Sequence, residues 1–399
     1  MKTLSILLFV CLFISCVVNA KPLEFTTPLK VTSVEKNRFI HLDSGGRRLI
    51  AASDDTVAVV WEDNHSGQPT IYIAYLLPES REFTPALIIS GKTAAYEPVI
   101  IGLEGKRFLV GWEESDRVWL RVMEPGKEKT KSIAAAEIPS RHINLAAMPN
   151  GKAAAVWVST KGKNVTIQYS SLQIKKQHIT LTKPMPVDRS KDRKAQLYPV
   201  VELTNQGSVV LWEDRRQGAT RILSAFAPQY KSFDQYQFVN EFTPSPSPDL
   251  GRGTGAMRAT LASDKNTIVA AAWMDKRNWR SGYDVFADIS TDGGNTFNKD
   301  EIVQDMFAEN VPQWHATITM HNQKNIIAVA WDDTRNDNPD IFYSLRANGE
   351  WSEDYELPGA AETGAQTHPS IVFDDNGKLH AIWLDNANKQ KRLLYTRSK

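Results

Sequence analysis

Ile327-Ala328-Val329-Ala330-Trp331-Asp332-Asp333-Thr334-Arg335 is the stretch on which the fold turns. An apolar run ends in tryptophan and is followed at once by acids and an arginine. Working outward, the run recurs as Val57-Ala58-Val59-Val60-Trp61-Glu62-Asp63, Phe108-Leu109-Val110-Gly111-Trp112-Glu113-Glu114 and Ala153-Ala154-Ala155-Val156-Trp157. It continues as Val209-Val210-Leu211-Trp212-Glu213-Asp214, Val269-Ala270-Ala271-Ala272-Trp273-Met274-Asp275 and His380-Ala381-Ile382-Trp383-Leu384-Asp385. Seven copies stand 45 to 61 residues apart, close to the spacing of propeller blades.

Each interval holds the parts of one blade. A strand-like segment such as Glu97-Pro98-Val99-Ile100-Ile101 or His368-Pro369-Ser370-Ile371-Val372-Phe373 precedes a turn, as at Asp375-Asn376-Gly377, and the Trp-ending strand follows. A polar loop then leads to a third strand, as in Thr70-Ile71-Tyr72-Ile73-Ala74-Tyr75, and a weaker fourth completes the unit. No long amphipathic helix interrupts the series. The expectation is an all-β propeller of seven four-stranded blades, with six blades as the alternative.

The last unit runs out of chain after its third strand, near Thr396. Pro28-Leu29-Lys30-Val31-Thr32-Ser33-Val34 precedes the first unit and belongs to none, so it is predicted to close the ring as the outer strand of the last blade. Two Pro-, Gly- or charge-rich stretches, Lys183 to Lys194 and Thr243 to Gly255, read as long loops because the repeat continues on both sides of each. Residues 21–399 are therefore expected to form a single domain.

The first residues carry a different signal. Lys2, an apolar run from Leu4 to Val18 and the small residue Ala20 make residues 1–20 a signal peptide on sequence grounds. The run is shorter than the ~20 apolar residues of a membrane-spanning helix. Secretion, or residence in the periplasm, follows as the expectation, with lipidation at Cys16 in Phe13-Ile14-Ser15-Cys16 as a minor alternative. Cys11 and Cys16 are the only cysteines, so cleavage leaves a chain without thiols or disulfides. With 47 basic and 46 acidic residues, the composition gives no reason to expect nucleic-acid binding. Asn64-His65-Ser66 and Asn164-Val165-Thr166 are glycosylation sequons should the source be eukaryotic.

One turn carries a more specific signature. Ser290-Thr291-Asp292-Gly293-Gly294-Asn295-Thr296-Phe297 matches Ser-x-Asp-x-Gly-x-Thr-(Trp/Phe), with glycines suited to a tight turn and Ser and Asp side chains able to bond its backbone. It resembles the Asp box of the sialidase-like BNR-repeat propellers. Ser344 to Trp351 and Leu76 to Phe83 look like decayed copies. The resemblance implies a structural hairpin on the face opposite the ligand site. It also implies a search for an arginine triad, a Tyr nucleophile supported by Glu, and an Asp acid/base. That family's early Arg stands in (Phe/Tyr)-Arg-Ile-Pro, which Asn37-Arg38-Phe39-Ile40 does not match. Tyr198, near Glu202, is the one Tyr and Glu combination noted, and the catalytic residues stay unassigned.

On the face where a blade's second and third strands are joined, Trp-x-Asp-x-Arg places Arg216, Arg277 and Arg335 at equivalent positions. Three guanidinium groups there would suit an acidic sugar or other anion, unless each pairs with the Asp two positions before it. Arg258, His315 and His368 begin the first strands of their units and are expected at the inner rim. The Asp-rich run from Asp332 to Asn338 does not have calcium-loop spacing and reads as a solvated turn, so neither metal nor cofactor is expected. The function expected is an exported propeller binding a glycan or other anionic ligand at its mouth. A sialidase-like glycoside hydrolase and a protein-interaction scaffold are the alternatives, and the sequence leaves the oligomeric state open.

Overall fold

Why the Trp-ending runs are continuously apolar is clear from where they lie. In the computed structural model each is the second strand of a four-stranded antiparallel blade, and blades packed face to face cover it from both sides. Thr56–Asp63, Val269–Asp275 and Ile327–Asp333 are buried throughout or nearly so. The structure describes residues 20–33, 39–42, 47–127, 130–136, 139–162, 164–241, 255–277, 282–306, 310–321, 323–361, 363–387 and 391–399. Residues 1–19, which hold most of the leader and both cysteines, Asn37-Arg38, and most of the loop at Thr243 to Gly255 lie outside the described residues.

The seven innermost strands are Ile50–Ser53, Ala95–Leu103, Ser140–Ala147, Leu197–Leu203, Ala256–Ser263, Trp314–His321 and Ala365–Phe373, each the start of one blade. The fold is a seven-bladed β-propeller, and the six-bladed alternative falls away. Among the described residues no helix is long and apolar enough to cross a membrane.

Each repeated tryptophan packs against the preceding blade. Trp157 lies with Val99, Leu109 and Val118, Trp273 with Val200, Leu211 and Ile222, and Trp331 with Ala272, Val285 and Ala287. All seven are at most 1% exposed. Burying such a side chain removes roughly 150–250 Å² from water, which at about 25 cal/mol per Å² is the largest single apolar contribution in each blade. In three blades the acid two residues on is part of the same device. The indole N–H donates to Glu114 from Trp112 at 3.0 Å, to Asp275 from Trp273 at 3.2 Å and to Asp333 from Trp331 at 3.0 Å.

The ring closes as the sequence predicts. Leu29–Lys30 pairs antiparallel with the last strand, Leu29 opposite Tyr395 and Lys30 opposite Leu394. The segment before it continues the clasp, with Phe25 bridging Ser398, the Leu23 N–H donating to the Tyr343 hydroxyl and the Tyr355 hydroxyl donating to the Ala20 carbonyl. The last blade thus joins Leu29–Lys30 to the final strand, which removes the open edges an unclosed ring would present.

The Ser290 to Phe297 turn joins the third and fourth strands of its blade. Asp292 accepts from the Thr296 N–H at 2.9 Å and the Thr296 hydroxyl at 2.8 Å, while Ser290 accepts from the Gly294 N–H at 2.9 Å. A Cβ on Gly294, whose φ is +92°, would meet Val209 of the neighbouring blade at 2.7 Å. The turn is a strut between blades at the end where first and second strands connect.

Candidate functional site

The opposite end of the channel is shaped by a bulge repeated in six blades. Pairing between first and second strands skips between Tyr96 and Val99, Arg141 and Asn144, Leu197 and Val200, Met257 and Thr260, Trp314 and Thr317, and Thr367 and Ser370. Inside each skip one residue has left-handed backbone: Glu97 (φ 55°), His142 (53°), Tyr198 (49°), Arg258 (53°), His315 (55°) and His368 (56°). A bulge re-aims a side chain, and a non-glycine residue in this region costs about 1 kcal/mol or more. Six blades bear that cost at the same position around one channel mouth. In the first blade the inner strand is split into Ile40–His41 and Ile50–Ser53; His41 ends the first part and Arg47 lies between the two.

Carboxylates on the second strands hold the bulges from the preceding blade. Glu62 accepts from the Glu97 N–H at 3.3 Å, Glu113 from the His142 N–H at 2.6 Å, Glu213 from the Arg258 N–H at 2.8 Å, and Asp332 from the His368 N–H at 3.0 Å. Each of the four follows its blade's tryptophan directly.

The bulged side chains form two stacks. Tyr198 lies between His142, whose ring is parallel within 10° at 4.1 Å, and Arg258, whose guanidinium carbon is 3.3 Å from the Tyr198 ring centre. His315 and His368 stack at 3.7 Å, and His315 Nδ1 meets Asp332 at 2.6 Å. Arg258 also pairs with Glu213 at 3.0 Å. Arg47 pairs with Glu97 and, at 3.5 Å, with Glu113.

Burial sets the protonation states. It pushes Glu62 up to about 7 although His41 and Arg47 oppose the rise, and it also raises Glu213 and Asp332. Burial, with nearby cations adding to it, pulls His142 down to about 3 and His368 to about 2, so both imidazoles are neutral. At neutral pH the mouth therefore offers uncharged imidazoles at His142 and His368 and a partly protonated Glu62, beside the Tyr198 phenol and further carboxyl groups.

The six residues singled out in the sequence fall into two groups. Arg258, His315 and His368 stand at the mouth. Arg216, Arg277 and Arg335 do not converge there but sit in separate ionic clusters, one per blade. Arg216 pairs with Asp214 at 2.7 Å and Asp188 at 2.6 Å, Arg277 with Asp275 and Asp300, and Arg335 with Asp333 at 2.6 Å and Asp354 at 2.8 Å. Each guanidinium also covers an aromatic ring, Tyr236, Phe286 or Phe342. The run at Asp332 is a solvated turn only from Thr334 to Asn338, where every residue but Arg335 is exposed; Asp332 and Asp333 are 3% and 1% exposed, because one carboxylate ties down two bulges and the other neutralises Arg335. Nor do Tyr198 and Glu202 work as a pair. Tyr198 is at the mouth, whereas Glu202 lies deeper in the channel, bound to Arg48 and Lys265. Among the described residues no cluster of three metal-ligating side chains occurs.

No family model matches the chain, and no curated protein sequence matches it. Among solved structures it resembles an α-L-arabinofuranosidase of Fusarium graminearum, at 11% identity and a TM-score of 0.53, over 94% of this chain and 98% of that one. It also resembles the endosialidase of phage phi92, at 10% identity and a TM-score of 0.52, over 94% and 69%. An oligogalacturonate lyase of Vibrio parahaemolyticus aligns at 9% identity and a TM-score of 0.52, over 92% of each chain. At these identities the likeness establishes the fold.

Proposed function

We propose that the chain is an exported carbohydrate-binding propeller whose channel mouth receives a hydroxyl-rich glycan. The observation that carries this reading is the sixfold bulge: Glu97, His142, Tyr198, Arg258, His315 and His368 are all held in unfavourable backbone conformations that present them at one opening. Packing does not require left-handed backbone at six equivalent non-glycine positions, and such strain collects at ligand sites. Glu62, Glu97, Glu113, Glu213 and Asp332 supply acceptor oxygens there, which suits sugar hydroxyl donors. The three structural neighbours are named for enzymes acting on carbohydrates, which supports a glycan as the ligand class.

A second reading, glycoside hydrolysis, has its own observation. Glu62, partly protonated at neutral pH, lies within electrostatic reach of Glu113 at the same mouth. A carboxylic acid beside a carboxylate is the usual glycosidase requirement. Protein beginning at Lys21 should be tested against a panel of immobilised neutral and acidic glycans and, in parallel, against aryl glycosides. Binding without turnover supports the first reading. Turnover that Glu62→Gln and Glu113→Gln both abolish supports the second, and neither binding nor turnover contradicts both.

A further inference from the structure

The other end of the channel holds charged groups that the mouth does not use. Arg48, just before the first inner strand, reaches across the axis to Glu202 on the fourth blade at 2.5 Å. Its guanidinium also donates to the Leu261 carbonyl of the fifth blade at 2.6 Å. Lys265, in the turn after the fifth inner strand, reaches the other oxygen of Glu202 at 2.5 Å. These three are the ionisable groups lining a cavity of about 170 Å³ whose walls are the far ends of all seven inner strands.

Of the three ionisable groups that line this cavity, two are basic and one is acidic. Burial alone would raise the Glu202 carboxyl, but Lys265 and Arg48 hold it below its ordinary range, so it is ionised. One carboxylate, 1% exposed, faces two cations. Asp264 acts on Lys265 electrostatically but makes its hydrogen bonds to the N–H groups of Asn266 and Ile268 in its own turn. Arg48 and Lys265 keep 22% and 24% of their side chains accessible. Two partly accessible cations that share one carboxylate at hydrogen-bond distance leave room for a second anion between them. Lys265 is brought to this place by left-handed backbone, at φ 65°.

We infer that this cavity is a second binding site, independent of the mouth, which takes a small monoanion such as a short carboxylate between Arg48 and Lys265. Glu202 fixes the two cations in place, and the confined volume limits the ligand to a few heavy atoms.

Crystals of the intact protein soaked in sodium bromide would test this by anomalous scattering, alongside calorimetric titration of sodium acetate in a buffer free of small anions. The inference expects a bromide peak in contact with Arg48 and Lys265, displacement of that peak by acetate, and a loss of at least tenfold in acetate affinity in Lys265→Met. A wild-type cavity without bromide, or acetate affinity unchanged in a folded Lys265→Met, would overturn it. Because the bromide measurement uses the wild-type protein, it decides the matter even if the variant does not fold.

Discussion

Asp332 Oδ1 is shared between His315, whose ring nitrogen it meets at 2.6 Å, and the backbone N–H of His368, which donates at 3.0 Å. That single oxygen joins the bulges of two consecutive blades and sets their imidazoles 3.7 Å apart. Asp332→Ala leaves both groups without their acceptor. The expected result is a loss of about 1–3 kcal/mol in stability, seen in urea unfolding, and a fall in glycan affinity of tenfold or more, seen by calorimetry.

The neutral imidazoles give the pH dependence a definite sign. His142 and His368 have folded pKa values of about 3 and about 2, below the ordinary 6.5. Between those limits the unfolded chain binds more protons than the native one, so their contribution to stability is complete above pH 6.5 and is lost as pH falls. Glu62, raised from 4.5 to about 7, acts in the opposite direction: its contribution is complete below pH 4.5 and is lost as pH rises through 7. NMR titration of the imidazole resonances should show His142 and His368 still neutral at pH 5. In Glu62→Gln the stability loss between pH 4.5 and 7 should diminish.

Arginines at the mouth and in the blade clusters should respond differently to truncation. Arg335→Ala strands two buried carboxylates, Asp333 and Asp354, and should cost about 3–5 kcal/mol in chemical unfolding. Arg258→Ala removes a stacking and pairing partner at the mouth. It strands one carboxylate, Glu213, which still accepts the backbone N–H of residue 258, so it should cost less stability than Arg335→Ala while weakening glycan binding at least tenfold.

These differences mark where the sequence was readable. The seven tryptophans, the strand order and the clasp at Leu29 and Lys30 were legible because packing repeats with the blade. Arg258, His315 and His368 were legible as first-strand beginnings. Glu97, His142, Arg47 and the ring of carboxylates were missed, although a signal existed. Acid follows tryptophan directly at Trp61-Glu62, Trp112-Glu113, Trp212-Glu213 and Trp331-Asp332, and Glu97-Pro98, Tyr198-Pro199 and His368-Pro369 share one position. Trp-x-Asp-x-Arg was the more conspicuous pattern, yet its periodicity reflects an ion pair within each of three blades. A repeated charge motif could not show from spacing alone whether it faced the axis or its own blade.

The clasp has a direct test. A chain starting at Ser33 lacks Leu29 and Lys30, which pair with the last strand, and the buried Phe25 and Val31. Loss of a buried aromatic side chain alone costs about 3 kcal/mol or more. Compared with protein starting at Lys21, the shorter chain should unfold at a clearly lower temperature and should associate through the exposed edge at Tyr395, measured by calorimetry and light scattering.

Glycine substitution at the bulges separates strain from function, and it bears most directly on the proposal that the mouth is a ligand site. Tyr198→Gly and Arg258→Gly remove the mouth side chains while making left-handed backbone easy. Glycan affinity and melting temperature should be measured together on wild type and both variants, with the best binder from the panel. The account expects a melting temperature within a few degrees of wild type for Tyr198→Gly, a larger fall for Arg258→Gly because Glu213 loses its cation, and affinity reduced at least tenfold in both. Unchanged affinity in both folded variants would contradict it.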